Sequence, residues 1–223
     1  METLNQIQLL AVLALPVVLA ITVHEAAHGW VANRLGDHTA LMLGRVTFNP
    51  IKHIDPVGTI LVPAVSFLLV GFLFGWAKPV PVNQRNLRHP RRDMALVAIA
   101  GPAVNLIMAL IWGMVFQVGR LIIESSPWVA VPLILTGAFG VLINVFLMVP
   151  NLVPLLPLDG GRVLNALLPP RWSYYFTRIE PYGLLILIVL LATGLLGRLL
   201  LPLVFGTVHL LGGADLVNLL SSI

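Results

Sequence analysis

The chain has 223 residues, of which 58% are hydrophobic and only 10% are charged, and its mean hydropathy is +0.97. Because a soluble domain usually has about 25% charged residues, this composition indicates a membrane protein with no separate soluble domain. The net charge of +4 is more typical of cytoplasmic loops rich in Lys and Arg than of a nucleic-acid partner. The sequence has no cysteine, which excludes disulfides, Cys-ligated zinc and thiol catalysis.

Five apolar stretches alternate with polar ones along the chain. The N-terminus lacks the basic region of a cleavable signal peptide, so we expect the first stretch to be retained. The pattern predicts an all-α polytopic membrane protein with about four transmembrane helices, a re-entrant hairpin and a small β element at the cytoplasmic membrane surface. The apolar stretches are residues 7–33, 57–76, 94–118, 128–150 and 182–211.

These stretches differ in how well they fit a bilayer. Residues 94–118 and 128–150 are long enough to cross a hydrocarbon core of about 30 Å at about 1.5 Å per residue. Residues 57–76 are also long enough but contain several Gly and a Pro, so they either span the membrane or enter and return as a hairpin. An arginine and a proline interrupt the last stretch, so we predict a span over 182–197 followed by a short or interfacial helix.

Two polar segments have extended character. Residues 43–48 contain β-branched and aromatic side chains, and in 78–82 the residues before Pro79 and Pro81 avoid the α region. We expect a small sheet here, to which an unwound substrate segment could add as a further strand. The 57–76 hairpin could then gate substrate entry.

The first apolar stretch contains His24-Glu25-Ala26-Ala27-His28. On a helix the two imidazoles, four residues apart, share one face and can bind a single Zn²⁺. Glu25 lies beside them, where it can take a proton from the attacking water. Ionisable residues inside a span cost about 2.5–3.5 kcal/mol each for Asp, Lys or Arg, which favours a functional role. The alternative is that these side chains hydrogen-bond neighbouring helices.

A catalytic zinc typically has three protein ligands and an open position, so a third ligand is required. Asp159 is the best candidate, because it follows the fourth apolar stretch in a segment whose prolines prevent a regular helix at membrane depth. The alternative is a proline-rich surface loop with a helix-capping Asp. Of the other histidines, three lie in basic loops where we expect solvation and one lies in the C-terminal region; they are His38, His53, His89 and His209.

Two further motifs accompany His-Glu-x-x-His. Asn-x-x-Pro followed by Leu-Asp-Gly stands at Asn151 to Gly160, and Gly-x-x-x-Asn stands at Gly101 to Asn105. With these motifs the chain resembles the site-2 protease family of intramembrane zinc metalloproteases, over about residues 10–170. It resembles the compact form without a PDZ or CBS domain, since only 23 residues precede the first histidine of the motif.

The resemblance implies one Zn²⁺ per chain, with His24, His28 and Asp159 as ligands and Glu25 as the catalytic base. It implies that Asn151 helps to bind the substrate backbone or the developing oxyanion. Asn105 matches the weaker motif and is a second candidate for substrate binding. The implied activity is hydrolysis of peptide bonds within or next to transmembrane segments of membrane proteins.

The resemblance also bears on partners and domain organisation. The expected partners are a transmembrane protein substrate and the lipid bilayer, with no nucleic acid, and the sequence leaves a homo-oligomer open. We expect residues 1–223 to form one intramembrane metalloprotease domain, with a core over 7–170 and C-terminal helices over 182–223.

The zinc ligands constrain the topology. Since His28 and Asp159 must lie at one depth, the chain between them crosses the membrane an even number of times, which predicts that the second apolar stretch is re-entrant. Eleven of the 13 Lys and Arg residues then lie on one side, which the positive-inside rule assigns to the cytoplasm. We therefore predict an external N-terminus and a zinc site toward the cytoplasmic face of a prokaryotic cytoplasmic membrane.

Other functions fit the sequence less well. A divalent-metal transporter would use the ligands but would not need Glu25 as an unligated base. A protein that binds membrane segments without cutting them would need neither a complete ligand set nor a base. The serines lack the Gly-x-Ser setting of a rhomboid-like protease, and an aspartyl intramembrane protease needs two intramembrane Asp residues, of which only Asp159 qualifies.

Overall fold

In a computed structural model the chain folds into long helices, and the structure describes residues 6–221 except 63–64, 66–67 and 69–76. Helix accounts for 79% of the structure. The α-helices are α1 (Gln6–Arg34), α2 (Thr39–Met42), α3 (Pro90–Leu121), α4 (Pro127–Asn151), α5 (Asp159–Leu167), α6 (Pro170–Thr177), α7 (Glu180–Ala192) and α8 (Leu195–Ser221). Shorter helical turns cover Pro50–His53, Pro56–Leu61 and Gln84–Asn86.

Four of these helices are long and apolar enough to cross a membrane. On α3 the large side chains of Ile107, Met114 and Val118 are exposed, as expected where a helix faces lipid rather than water. The chain is therefore an integral membrane protein. A fifth crossing would require α6 and α7 to act as one span, although they meet at an angle of 62°. The four candidate spans are Val12–Arg34, Pro90–Leu121, Pro127–Asn151 and Leu195–Leu220.

α3 and α4 pack closely because glycines on α4 admit large side chains of α3. A Cβ at Gly140 would lie 2.3 Å from the Trp112 ring, and one at Gly137 would lie 2.5 Å from the backbone nitrogen of Phe116. Small residues allow such an approach in membranes, where van der Waals packing drives helix association. The core that joins this pair to α8 contains Ala109, Phe116, Ala138, Val141, Val145, Val204, Val208 and Leu216.

The loops between α1 and α3 are joined by Asp37, which is 0% exposed. Its Oδ1 accepts hydrogen bonds from the Thr39 N–H and hydroxyl, at 3.1 and 2.5 Å, and from Asn86 Nδ2 at 3.0 Å. Its Oδ2 accepts the Asn83 N–H at 2.6 Å. Burial alone would raise the pKa of Asp37, but these hydrogen bonds outweigh burial and lower the pKa. The carboxylate therefore fixes residues 83–86 against the end of α1.

The residues that flank the predicted hairpin on either side lie next to each other. The N–H of Lys78 donates to the carbonyl of His53 at 2.9 Å. The described start of the hairpin is a π-helix over Pro56–Leu61, whose N-cap Asp55 accepts two backbone N–H groups. Most of the 57–76 stretch beyond this turn lies outside the described residues.

The predicted small β element is absent from the residues that the structure describes. Residues 43–48 form turns and bends, and 78–82 form no regular secondary structure. The two prolines of 78–82 have no N–H, and Lys78 and Val80 donate theirs to other parts of the protein. Few donors therefore remain for strand pairing, and the geometry argues against strand addition of a substrate along this segment.

The predicted bounds of the span over 182–197 are wrong. α7 has 13 residues and ends at Ala192, because the chain turns at Gly194, whose φ of 70° lies in the left-handed region that favours glycine. The long apolar helix is α8 instead, which is kinked at Gly213, where φ is 77°. Arg198 does not break it, because the side chain lies exposed in the first turn, where a long cationic side chain can reach the polar interface.

Candidate metal centre

α1 and the start of α5 bring three metal-binding side chains together. His24 and His28 lie one turn apart on α1, with their Nε2 atoms separated by 3.1 Å. Asp159 Oδ2 lies 3.3 Å from Nε2 of His24 and 3.4 Å from Nε2 of His28. Asp159 reaches this point because prolines interrupt the helix over 152–158 and α5 begins at Asp159 itself. The three residues predicted as ligands therefore meet.

The separations match a tetrahedral zinc site. Zinc bonds of about 2.0–2.1 Å place neighbouring tetrahedral ligand atoms about 3.3 Å apart, and the three observed separations run from 3.1 to 3.4 Å. Two imidazoles and a carboxylate form a donor set that catalytic zinc uses, with a fourth position open. Among the described residues no other group of three His, Asp or Glu side chains is close enough to hold a metal.

The three candidate ligands are buried, and a neighbouring carbonyl orients His28. His28 Nδ1 donates to the Val97 carbonyl at 2.7 Å, which leaves Nε2 free to bind a metal. His24 Nδ1 is buried without a partner in the described part of the chain. Asp159 is 8% exposed.

α3 also packs against the two histidines at Gly101. A Cβ at this position would lie 2.5 Å from His24 Cε1 and 2.5 Å from His28 Nε2. No side chain fits there unless the imidazoles or α3 move. The glycine of the Gly-x-x-x-Asn motif therefore forms a backbone wall of the metal centre.

Glu25 lies beside the ligands but outside the donor set. It follows His24 directly, so its side chain is turned by about 100° around α1 from that ligand. The Glu25 Oε2 atom accepts the N–H of Val80 at 2.8 Å. One carboxylate oxygen is thus held by the protein backbone, and Oε1 has no such tether among the residues that the structure describes. This setting suits a base rather than a ligand.

The two asparagines predicted to bind substrate have different surroundings. Asn151 ends α4, is partly buried, and donates from Nδ2 to the Leu147 carbonyl at 2.9 Å. Asn105 lies one turn beyond Gly101 on α3, is 0% exposed, and has no partner for either amide atom in the described structure. A buried amide without partners is costly and is typical of a site for water or a polar ligand.

The burial of two polar residues was not predicted from the sequence. Asn144 is 0% exposed within α4, and its Oδ1 has no partner among the described groups. An Asn inside an apolar stretch was a visible signal for such a buried amide. Arg45 is also buried, but its sequence gives no such signal, because it is one of many basic residues in polar segments.

The other histidines divide into two groups. His53 is buried, and its Nε2 lies 3.0 Å from the Thr47 carbonyl, so the expected solvation of His53 is wrong. A basic sequence neighbourhood did not reveal that the loop folds back over this ring. His38, His89 and His209 are exposed, and none of the four belongs to the metal cluster.

The sequence is similar to proteins that are named as zinc metalloproteases. YwhC of Bacillus subtilis is 41% identical over 198 residues, which are 88% of this chain and 87% of YwhC. Rip2 of Mycolicibacterium smegmatis is 28% identical over 191 residues, which are 84% of this chain and 69% of Rip2. A zinc metalloprotease of Methanocaldococcus jannaschii is 24% identical over 74% of this chain but only 36% of that protein.

No family model and no solved structure matches the sequence. The likeness to YwhC extends over most of both chains, and the donor atoms of His24, His28 and Asp159 lie within 4.8 Å of one another. These findings agree with the motifs of the sequence. The chain belongs to the site-2 protease family of intramembrane zinc metalloproteases.

Proposed function

We propose that His24, His28 and Asp159 hold one Zn²⁺ and that Glu25 is the general base of peptide hydrolysis. The observation that carries this proposal is the set of ligand separations of 3.1 to 3.4 Å beside a carboxylate that is excluded from the set. All three donor atoms come from one chain, so one chain supplies a complete centre whether or not it forms a homo-oligomer.

In the mechanism, bound zinc supplies Lewis acidity, which polarises the scissile carbonyl and lowers the pKa of water. Glu25 takes a proton from the attacking water and later delivers it to the leaving amine. The N–H of Val80 holds Glu25 Oε2, which leaves Oε1 for proton transfer. Asn151 uses one amide hydrogen on Leu147, so its second hydrogen remains for the substrate carbonyl oxygen.

The substrate is a membrane protein whose transmembrane segment must unwind before cleavage. A helix hides its carbonyl groups in its own hydrogen bonds, and the scissile carbonyl must reach the buried centre. Helix-breaking residues near the cleavage site should therefore favour cutting. Unchanged cleavage after stiffening of the substrate with Leu and Ala would contradict the unwinding step.

Two observations support a metal centre on the cytoplasmic side of a prokaryotic membrane. The hydrogen bond between His53 and Lys78 supports a segment that returns to its starting side. Eleven of the 13 basic residues then share a side with the ligands, which the positive-inside rule assigns to the cytoplasm. The named relatives come from bacteria and an archaeon, which supports a prokaryotic cytoplasmic membrane.

A single domain over residues 1–223 is also part of the proposal. The apolar core includes Val204, Val208 and Leu216 of α8 together with Ala109 of α3 and Val141 of α4. The C-terminal helix therefore packs with the helices that carry the site, which supports one folding unit.

The test compares wild-type protein with Glu25→Gln in liposomes, using a transmembrane peptide that contains a helix-breaking residue. Loss of the base should lower the rate by about 100- to 10,000-fold, while one zinc per chain stays bound. Glu124→Gln is the matched control, because Glu124 is an exposed carboxylate between α3 and α4. Full cleavage by Glu25→Gln would refute the role of Glu25. Zinc flux without peptide cleavage in the wild type would favour a transporter.

A further inference from the structure

Arg45 is a buried cation in the loop after α2. It is 7% exposed, and its Nη2 donates to the carbonyl oxygen of Lys78 at 2.8 Å and to that of Pro79 at 3.4 Å. A buried guanidinium is unfavourable unless its N–H groups are hydrogen-bonded. Through Nη2 the arginine ties the loop after α2 to the backbone of residues 78–79, while its buried Nε has no partner among the described residues.

The same backbone segment reaches the metal centre two residues later. The N–H of Val80 donates to Oε2 of Glu25 at 2.8 Å. Val80 is itself buried. The segment between the guanidinium and the carboxylate is short and contains Pro79, whose φ is fixed by its ring. A shift of the Lys78 backbone should therefore also move the N–H of Val80.

Val46, which follows Arg45, and Val80 both pack against α1 at Gly29, one turn after Glu25. A Cβ at Gly29 would lie 3.0 Å from Val46 Cγ2 and 3.1 Å from Val80 Cγ1. The residue after Arg45 and the residue that holds Glu25 thus pack on the same point of the helix. This packing keeps the arginine loop and the 78–80 segment at a fixed distance from the carboxylate.

We propose that Arg45 is a positioning residue for Glu25 and acts through the backbone from Lys78 to Val80. This inference rests on the proposed role of Glu25 as the general base. With Arg45 in place, one carboxylate oxygen of Glu25 is anchored and the other is directed to the reaction. Without Arg45, the 78–80 segment relaxes and Glu25 samples other rotamers.

A misplacement of a catalytic group by about 1 Å can lower a rate by about 100-fold. We therefore expect Arg45→Ala to lower kcat by about 10- to 100-fold. KM should change by less than about twofold, because the change affects a step of the chemistry rather than substrate binding. Zinc content should stay at one per chain, because Arg45 contacts none of the three ligands.

The experiment measures kcat, KM and zinc content for Arg45→Ala, Arg45→Lys and Val80→Pro in liposomes. Lysine keeps a cationic donor for the Lys78 carbonyl, so it should restore at least part of kcat. Val80→Pro removes the N–H that holds Glu25 and leaves the arginine intact. The matched control is Arg85→Ala, because Arg85 is an exposed arginine in the same inter-helix region.

If Arg45 acts through Val80, the double variant Arg45→Ala/Val80→Pro should be no slower than the slower single variant. If the fold losses in kcat of the two single variants multiply in the double variant, the inference is overturned. A wild-type kcat in Arg45→Ala would overturn it as well. If Arg45→Ala loses zinc or unfolds, Arg45→Met, which keeps much of the side-chain volume without the guanidinium, decides together with Val80→Pro. A lower kcat with full zinc in both variants supports the inference, and an unchanged kcat in either overturns it. The Glu25→Gln variant, inactive with zinc bound, shows that the proposed function stands in either case.

Discussion

Gly101→Ala should weaken zinc binding more than any other single methyl group added to α3. The new Cβ would lie 2.5 Å from His24 Cε1 and 2.5 Å from His28 Nε2. Ordinary van der Waals contacts begin at 3.4 Å, so the imidazoles or α3 must move by roughly 1 Å. Metal–ligand distances tolerate changes of only about 0.2 Å, and this displacement therefore disrupts the first coordination sphere.

The magnitude follows from a comparison with milder changes. Loss of an outer-shell partner of a metal ligand typically lowers affinity by about 10- to 100-fold. Gly101→Ala displaces the ligands themselves, so we expect at least about 100-fold weaker zinc binding, which corresponds to about 2.7 kcal/mol. The assay is competition with a chelator of known zinc affinity, with bound metal measured in detergent-solubilised protein.

Gly113→Ala is the matched control on the same helix. A Cβ at Gly113 would lie 3.4 Å from the Leu211 carbonyl oxygen and 3.8 Å from Val141, which are ordinary contacts. Alanine also favours a helix interior over glycine by about 0.5–1 kcal/mol, so this variant should keep its zinc and its stability. If Gly101→Ala binds zinc as tightly as the wild type, the α3 backbone at Gly101 does not form a wall of the metal centre.

Two further predictions concern carboxylates at either end of this region. Asp159→Asn replaces a charged ligand by a neutral amide and should reduce zinc affinity by at least about 100-fold; metal analysis after dialysis checks this, and retained zinc would remove Asp159 from the donor set. Asp37 has a lowered pKa in the folded protein, so its contribution to stability should be complete above its unfolded pKa of about 3.9 and be lost as the pH falls through the lower folded value. Lowering the pH from 6 to 3 should therefore destabilise the wild type more than Asp37→Asn, as measured by thermal unfolding at each pH. Parallel pH profiles of the two proteins would contradict the hydrogen-bond assignment.

The clustering of His24, His28 and Asp159 could be predicted because their chemistry is local in the sequence. His24 and His28 share a helix face through a spacing of four residues, and the prolines before Asp159 mark the interruption that frees this carboxylate. Their positions relative to each other followed from one requirement, that all ligands of a metal lie at one depth.

The support of Glu25 could not be predicted, because it depends on tertiary contacts. The amide of Val80 and the guanidinium of Arg45 come from two loops whose paths no periodicity encodes. The C-terminal helices were misplaced for a related reason: hydropathy is continuous across Gly194, and only the left-handed backbone at that glycine separates α7 from α8. The extended prolines near Val80 suggested a strand, but their missing N–H groups favour an unpaired segment.

The ligand set joins parts of the chain that are made at very different times. Two of the proposed ligands lie in the first helix, and the third, Asp159, follows α3 and α4 in the chain. A nascent chain that carries only the His-Glu-x-x-His helix therefore offers two imidazoles and an incomplete donor set. Under the proposed ligand set, hydrolysis therefore requires that the chain has been made at least as far as α5.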